Sequence, residues 1–169
     1  MKKIFLITLA ILIYSATNFF NEENFFSAEK FAEAKQIFLQ TRKPASENFA
    51  EEVLELVNIE REKVGVKPLE LSQDLMEFSA IRAEEIAEVF SHTRPDGSGC
   101  FTVINIPYRH IGENIAEGQP TAEDVVEAWM NSEGHRKNIL NSDFGKLGVG
   151  YKFVADSEYN HYWVQLFKD

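Results

Sequence analysis

Four histidines are the first residues of this chain that could do chemistry: His92, His110, His135 and His161. An imidazole can ligate a metal or move a proton near neutral pH. Two of the four stand where a loop meets a regular element, a setting in which binding and catalytic groups collect. His92 lies in Ser91-His92-Thr93-Arg94-Pro95-Asp96-Gly97, and His135 in Gly134-His135-Arg136-Lys137-Asn138-Ile139-Leu140. A third segment, Gly112-Glu113-Asn114-Ile115-Ala116, offers a carboxylate in a similar setting. Periodicity alone gives no reason for the three to converge, and histidines so placed are commonly surface or capping residues. Other chemistries lack their residues. The single thiol, Cys100, has no Cys-His-Asn context, so a buried, inert cysteine is the default. No serine stands in a Gly-x-Ser-x-Gly elbow, and there is no glycine-rich phosphate loop or His-Glu-x-x-His zinc motif.

The elements that must hold these groups are read from patterning. Ser46 or Asn48 caps a helix over 48–64 that Gly65 ends, with Phe49, Val53, Val57 and Val64 on its buried side. After a short extended link at 68–71, Ser72 caps a second helix to about residue 90. There Met76, Ala80, Ala83, Ala87 and Phe90 recur at helical spacing, and the small members imply close approach to a neighbour. Pro95-Asp96-Gly97 makes a tight turn in which Arg94 pairs with an acid. Residues 101–106 are ambiguous between helix and strand, and 111–116 are extended. Thr121, with Asp124 three residues on, opens a helix to Met130, and Ser132 opens a short one through Leu140. Segments 146–154 and 159–167, rich in Val, Tyr, Phe and Trp, read as strands of a hairpin closed by 155–158. Helices first and a hairpin last give an α+β domain.

The three chemistry-bearing segments, together with Ala128-Trp129-Met130-Asn131-Ser132-Glu133, resemble in order and spacing the bacterial branch of the CAP superfamily (cysteine-rich secretory, antigen 5, pathogenesis-related), also called SCP-domain proteins. The resemblance runs over about 48–167. It implies an α–β–α sandwich around a small central antiparallel sheet. It also implies a central cleft lined by two histidines and two acids, whose matching positions here are His92, His135 and Glu113. The slot of the second acid holds Ser132. The neighbouring Glu133 either restores a carboxylate to the cleft or simply favours the positive end of the short helix that starts there. Tyr108 and Arg109 are further candidates for the cleft wall, Trp129 and Trp163 read as core or cleft-wall aromatics, and Asn114 and Asn138 as amides that tie loops. His110 and His161 match no role.

A His-His-Glu cleft has definite chemistry. Neutral imidazoles ligate zinc, and three or fewer protein ligands leave a position open for water. Zinc or another divalent cation at His92 and His135 could acidify that water, with Glu113 as general base. Alternatively Glu113 orients an imidazole, or only fixes the loop that shapes the cleft. Two functions follow: a binding module whose cleft recognises a protein, a lipid or an envelope component, and a zinc-assisted hydrolase of peptide or cell-wall material.

Bulk properties bound the setting. Lys2 and Lys3, the apolar run 4–14 and Ser15-Ala16-Thr17 read as a signal peptide over 1–17. The run is shorter than the ~20 residues of a membrane-spanning helix, and an uncleaved anchor is the competing reading. Residues 18–46 form an amino-terminal spacer whose helix, about 28–40, carries Phe31, Ala34 and Phe38 on one stripe; 47–169 form the domain. The net charge of −10 disfavours nucleic acid and anionic lipid, and membrane contact is confined to the amino-terminal segment if that segment stays uncleaved. One cysteine permits no intrachain disulfide. The expectation is a monomer, secreted or held at the cell envelope.

Overall fold

The structure, a computed structural model, describes residues 48–169. Along them run α1 (Phe49–Lys63), β1 (Glu70–Leu71), α2 (Gln73–Glu88), a 3-10 turn at Cys100–Val103, β2 (Ile111–Glu117), α3 (Ala122–Met130), α4 (Glu133–Ile139), β3 (Lys146–Phe153) and β4 (His161–Lys168). The 3-10 turn settles the ambiguous stretch. The expectations for residues 1–46 lie outside the described residues. Among the described residues, no helix is long and apolar enough to cross a membrane.

The strands lie in the order β1-β3-β4-β2. β3 and β2 flank β4 in antiparallel register, and β1 adds two parallel residues to β3 in the segment read as an extended link. The small antiparallel sheet is thus mixed at one edge. β4 is buried from His161 to Phe167, because its near-continuous apolar run suits a strand covered on both faces. Leu147, Val149, Trp163 and Phe167 face α1 and α3. Tyr162, Val164, Leu166 and Ile115 face Leu75, Phe78, Ala83 and Ile86 of α2. The result is an α+β domain with helices on both sides of the sheet.

α2 lies directly on β3. A Cβ added at Gly148 would stand 2.3 Å from the Leu75 backbone, and one at Gly150 would stand 2.0 Å from the Ser79 carbonyl. Only glycine admits so close an approach. The buried face of α2 is Leu75, Phe78, Ser79, Arg82, Ala83 and Ile86, rotated from the stripe read in the sequence. Ala80 is exposed and Phe90, beyond the helix end, is 44% exposed. Purely apolar patterning selects the wrong face because two of its central members, Ser79 and Arg82, are polar. α1 departs similarly. Val53 and Val57 are buried, but the last buried place belongs to Arg61 and not to Val64, which is 56% exposed.

Ser72 and Thr121 cap α2 and α3 through their side chains, and Asp124 returns the Thr121 contact at 2.8 Å. The β3–β4 loop is longer than the hairpin expected, ending at Asn160 with a left-handed φ of 63°. Its amide closes the loop onto the Val154 and Ala155 carbonyls at 2.9 and 2.7 Å.

Candidate functional site

Arg82 organises one wall of the site. It projects from α2 into the protein with a fully buried side chain. Its Nε donates to Glu113 Oε2 at 2.8 Å, and an Nη donates to the Ser91 carbonyl at 2.8 Å. Glu113, on β2, is itself 1% exposed at the side chain, and its Oε1 meets His92 Nδ1 at 2.7 Å. Burial alone would raise the Glu113 carboxyl, but the hydrogen bonds from His92 and Arg82 hold it below the usual carboxylate range. One buried arginine therefore fixes both the carboxylate and the loop that carries His92. Arg94 and Arg82 both grip Glu85. Asp96 accepts from the Ser98 backbone and hydroxyl at 2.9 and 2.6 Å, shaping the turn after His92.

The opposite wall is α4, which carries His135. Asn114 Nδ2 donates to the His135 carbonyl at 3.2 Å and to Gln165 Oε1 at 3.0 Å. Asn138 Nδ2 returns to the Glu113 carbonyl at 3.2 Å and to Asn114 Oδ1 at 2.9 Å. β2 and α4 are thus stitched together by two amides. The far end of α4 is held by Arg61, whose guanidinium donates to the Lys67, Ile139, Asn141 and Phe144 carbonyls at 2.7 to 3.0 Å.

Between these walls lies a cleft of about 650 Å³, lined by Phe90, His92, Ile115, Trp129, Ser132 and His135 among others. Burial, followed by repulsion from His92, lowers the pKa of His135 and favours its neutral form. His92 is 55% exposed at the side chain. Of the residues singled out in the sequence, His92, Ser132 and His135 stand on the cleft wall, and Glu113 stands behind His92. Glu133 is the exposed first residue of α4, and neither it nor Tyr108 lines the cleft. Arg109 turns to Asp169 at 3.0 Å. Trp129 is on the wall, whereas Trp163 is in the core, its indole bonded to the Gln119 carbonyl at 2.8 Å. His161 is buried against the Tyr151 hydroxyl at 2.8 Å. The sequence reading misses Arg82 and Arg61. Their signal is an arginine at a helical position where the apolar stripe should continue.

Among the described residues one group of metal-ligating types gathers, with His92, Cys100 and Glu113 atoms all within 4.8 Å of one another. The Arg82 guanidinium already supplies the positive charge there. Burial and Glu113 push the Cys100 thiol up to about 12, so no thiolate forms at neutral pH. The two imidazoles facing the cleft are the better donors.

Comparison with known proteins agrees with this architecture. The Cysteine-rich secretory protein family, CAP, matches residues 54–167. The uncharacterized protein YkwD of Bacillus subtilis is 40% identical over 142 residues, covering 80% of this chain and 53% of that protein. The chain thus spans about half the length of this relative. The crystal structure of an extracellular protein containing an SCP domain from Bacillus anthracis superposes with a TM-score of 0.63 at 27% identity, covering 72% of this chain and 40% of that one. An outer surface protein from Borrelia burgdorferi shares the fold at a TM-score of 0.62 and 22% identity, covering 70% and 90%. The chain belongs to the CAP, or cysteine-rich secretory protein, family.

Proposed function

We propose that this chain is an exported CAP-domain protein whose cleft binds a ligand or partner outside the cytoplasm or at the cell envelope, with a divalent cation, zinc foremost, held by His92 and His135. The observation that carries the reading is that two imidazoles, His92 and His135, face one cleft from its opposite walls, with Glu113 bonded behind the first. The donor set suits zinc. His92 spends Nδ1 on a carboxylate and keeps Nε2 for a ligand, the arrangement by which metal-bound imidazoles are oriented. Burial lowers the pKa of His135 and so favours its neutral form, the form that binds a metal. When bound, zinc supplies a Lewis-acid point that can anchor a polar group of the ligand. Export is supported by Lys2, Lys3 and the apolar segment 4–14, and by the extracellular description of the Bacillus anthracis relative.

The hydrolase reading has less support. Its general base would be Glu113, yet that carboxylate is buried, doubly bonded and held at low proton affinity. A base must reach the proton it takes. A calorimetric titration of zinc chloride into the metal-stripped protein tests the binding reading. The expected result is one site per chain, lost in His92→Ala/His135→Ala and weakened roughly 10- to 100-fold in Glu113→Gln. Absence of binding, or equal binding by the double variant, would remove the metal from the reading.

A further inference from the structure

Among the described residues, β2 is the last strand of the sheet and pairs on one side only. The register states which way its backbone points. His161 O accepts from Gly118 N at 2.8 Å, and Lys168 O accepts from Gly145 N at 2.9 Å, so the odd-numbered residues of β4 face β2 and the even-numbered ones face β3. Through the pairs Gly112↔Phe167, Asn114↔Gln165 and Ala116↔Trp163, those three residues of β2 turn their N–H and C=O toward β4. Glu113, Ile115 and Glu117 turn theirs outward. Two outward carbonyls are taken, Glu113 O by Asn138 Nδ2 at 3.2 Å and Ile115 O by Trp129 Nε1 at 3.3 Å. Among the described residues, the N–H groups of Ile115 and Glu117 and the carbonyl of Glu117 have no partner.

This edge lies on the cleft wall, because Ile115, Ala116, Glu117 and Gln119 line it. The strand Ile-Gly-Glu-Asn-Ile-Ala-Glu carries no lysine or proline, the usual devices that blunt an open edge. Gln119, on the same wall, has a buried Oε1 without a partner. We propose that the occupant of the cleft is a short extended polypeptide segment, alternately apolar and basic, which adds to the free edge of β2 at Ile115 and Glu117. The inference rests on the cleft being a binding site, as above.

The chemistry of the wall selects this occupant. Donors on alternate residues, followed by a carbonyl, complement the backbone of another strand, whereas an acyl chain would leave them unsatisfied. Phe90, Ala128 and Trp129 provide apolar surface. At the far end stands Glu117, beside the like-charged Glu158, in a chain of net charge −10, so a lysine or arginine side chain is the complementary one.

The test is amide NMR of the whole chain with an acetylated, amidated pentapeptide of alternating valine and lysine. The peptide should shift the Ile115 and Glu117 amides and slow their hydrogen exchange. N-methylating one alternate set of its residues should weaken binding by about tenfold or more, and methylating the other set should change it little. No shift up to millimolar peptide, or indifference to methylation in both sets, would overturn the proposal. So would a dodecyl-chain detergent that shifts Phe90 and Trp129 while the peptide does not. Zinc added to the same sample separates the two readings: shifts at His92 and His135 with a silent β2 edge would leave the cleft as a metal-dependent site and eliminate the peptide.

Discussion

Replacing Arg82 by methionine should be among the most damaging single changes in the domain. The side chain is fully buried and holds Glu113, Glu85 and the Ser91 carbonyl. Methionine keeps much of the stem's volume and removes the charge. Glu113 is then left 1% exposed with the His92 imidazole still bonded to its Oε1. Breaking a buried ion pair from one side costs ~3–5 kcal/mol, because the other charge stays buried. Taking the low end of that range and ~1 kcal/mol for the orphaned Ser91 carbonyl gives at least about 4 kcal/mol, a large part of the ~5–15 kcal/mol that stabilises a domain. With a urea slope of about 2 kcal/mol per molar, the midpoint falls by roughly 2 M. Fluorescence of Trp129 and Trp163, both fully buried, follows the transition. Glu113→Gln alone should cost less, about 1–2 kcal/mol, because Arg82 keeps Glu85. The double variant Arg82→Met/Glu113→Gln should then be more stable than the sum of the singles by at least ~1.5 kcal/mol, since neither charge is left stranded. Additivity within ~0.5 kcal/mol would refute a mutual pair at the centre of this wall.

Three further outcomes are expected. Glu113 and Glu85 are held below their ordinary value of 4.5, so the stability they contribute is complete above that pH and is lost as pH falls through their lower folded values; urea titrations at pH 5 and pH 3 should show a smaller loss for Glu113→Gln than for the parent, and equal losses would contradict the assignment. Gly150→Ala should destabilise by ~1–3 kcal/mol or more, since the new Cβ would meet the Ser79 carbonyl, whereas Gly134→Ala, which meets nothing within 4 Å, should be neutral or stabilising by up to ~1 kcal/mol; thermal melts of the two variants decide it. Cys100, with its thiol pushed up to about 12, should resist iodoacetamide in the native protein and react promptly in urea; fast native alkylation, read by mass spectrometry, would show that the thiol is not buried as described.

The sequence states the order of elements better than it states which faces they bury. Helix starts at Ser72 and Thr121 are legible because capping is local chemistry between residues three apart. Strands β3 and β4 are legible from composition. The rotation of α2 is not, because it is set by Gly148 and Gly150 some 70 residues later, and a glycine announces only that some backbone comes near. The meeting of His92 with Glu113 is equally invisible to periodicity, since it depends on Arg82 reaching across from a third element. Glu133 and Tyr108 lie beside cleft residues in sequence, yet the first turn of α4 and the loop before β2 carry them to solvent, which for Glu133 matches the helix-end alternative.

Arg61 and Arg82 carry the lesson further. Both fall in register with buried helical residues, Arg61 after Ala50, Val53 and Val57, and Arg82 after Leu75 and Phe78. An unpaired arginine so placed would be prohibitively costly, and each is instead occupied by groups on other segments. Arg61 gathers the carbonyls that follow α4, and Arg82 gathers the carboxylate of β2 and the loop before the 3-10 turn. The first therefore fixes the wall bearing His135 and the second the wall bearing His92. The spacing of the two imidazoles across the cleft is set from beneath by two guanidinium groups that never touch it. Under the proposed reading, a ligand or cation would meet walls already held in place, with little ordering left to oppose binding.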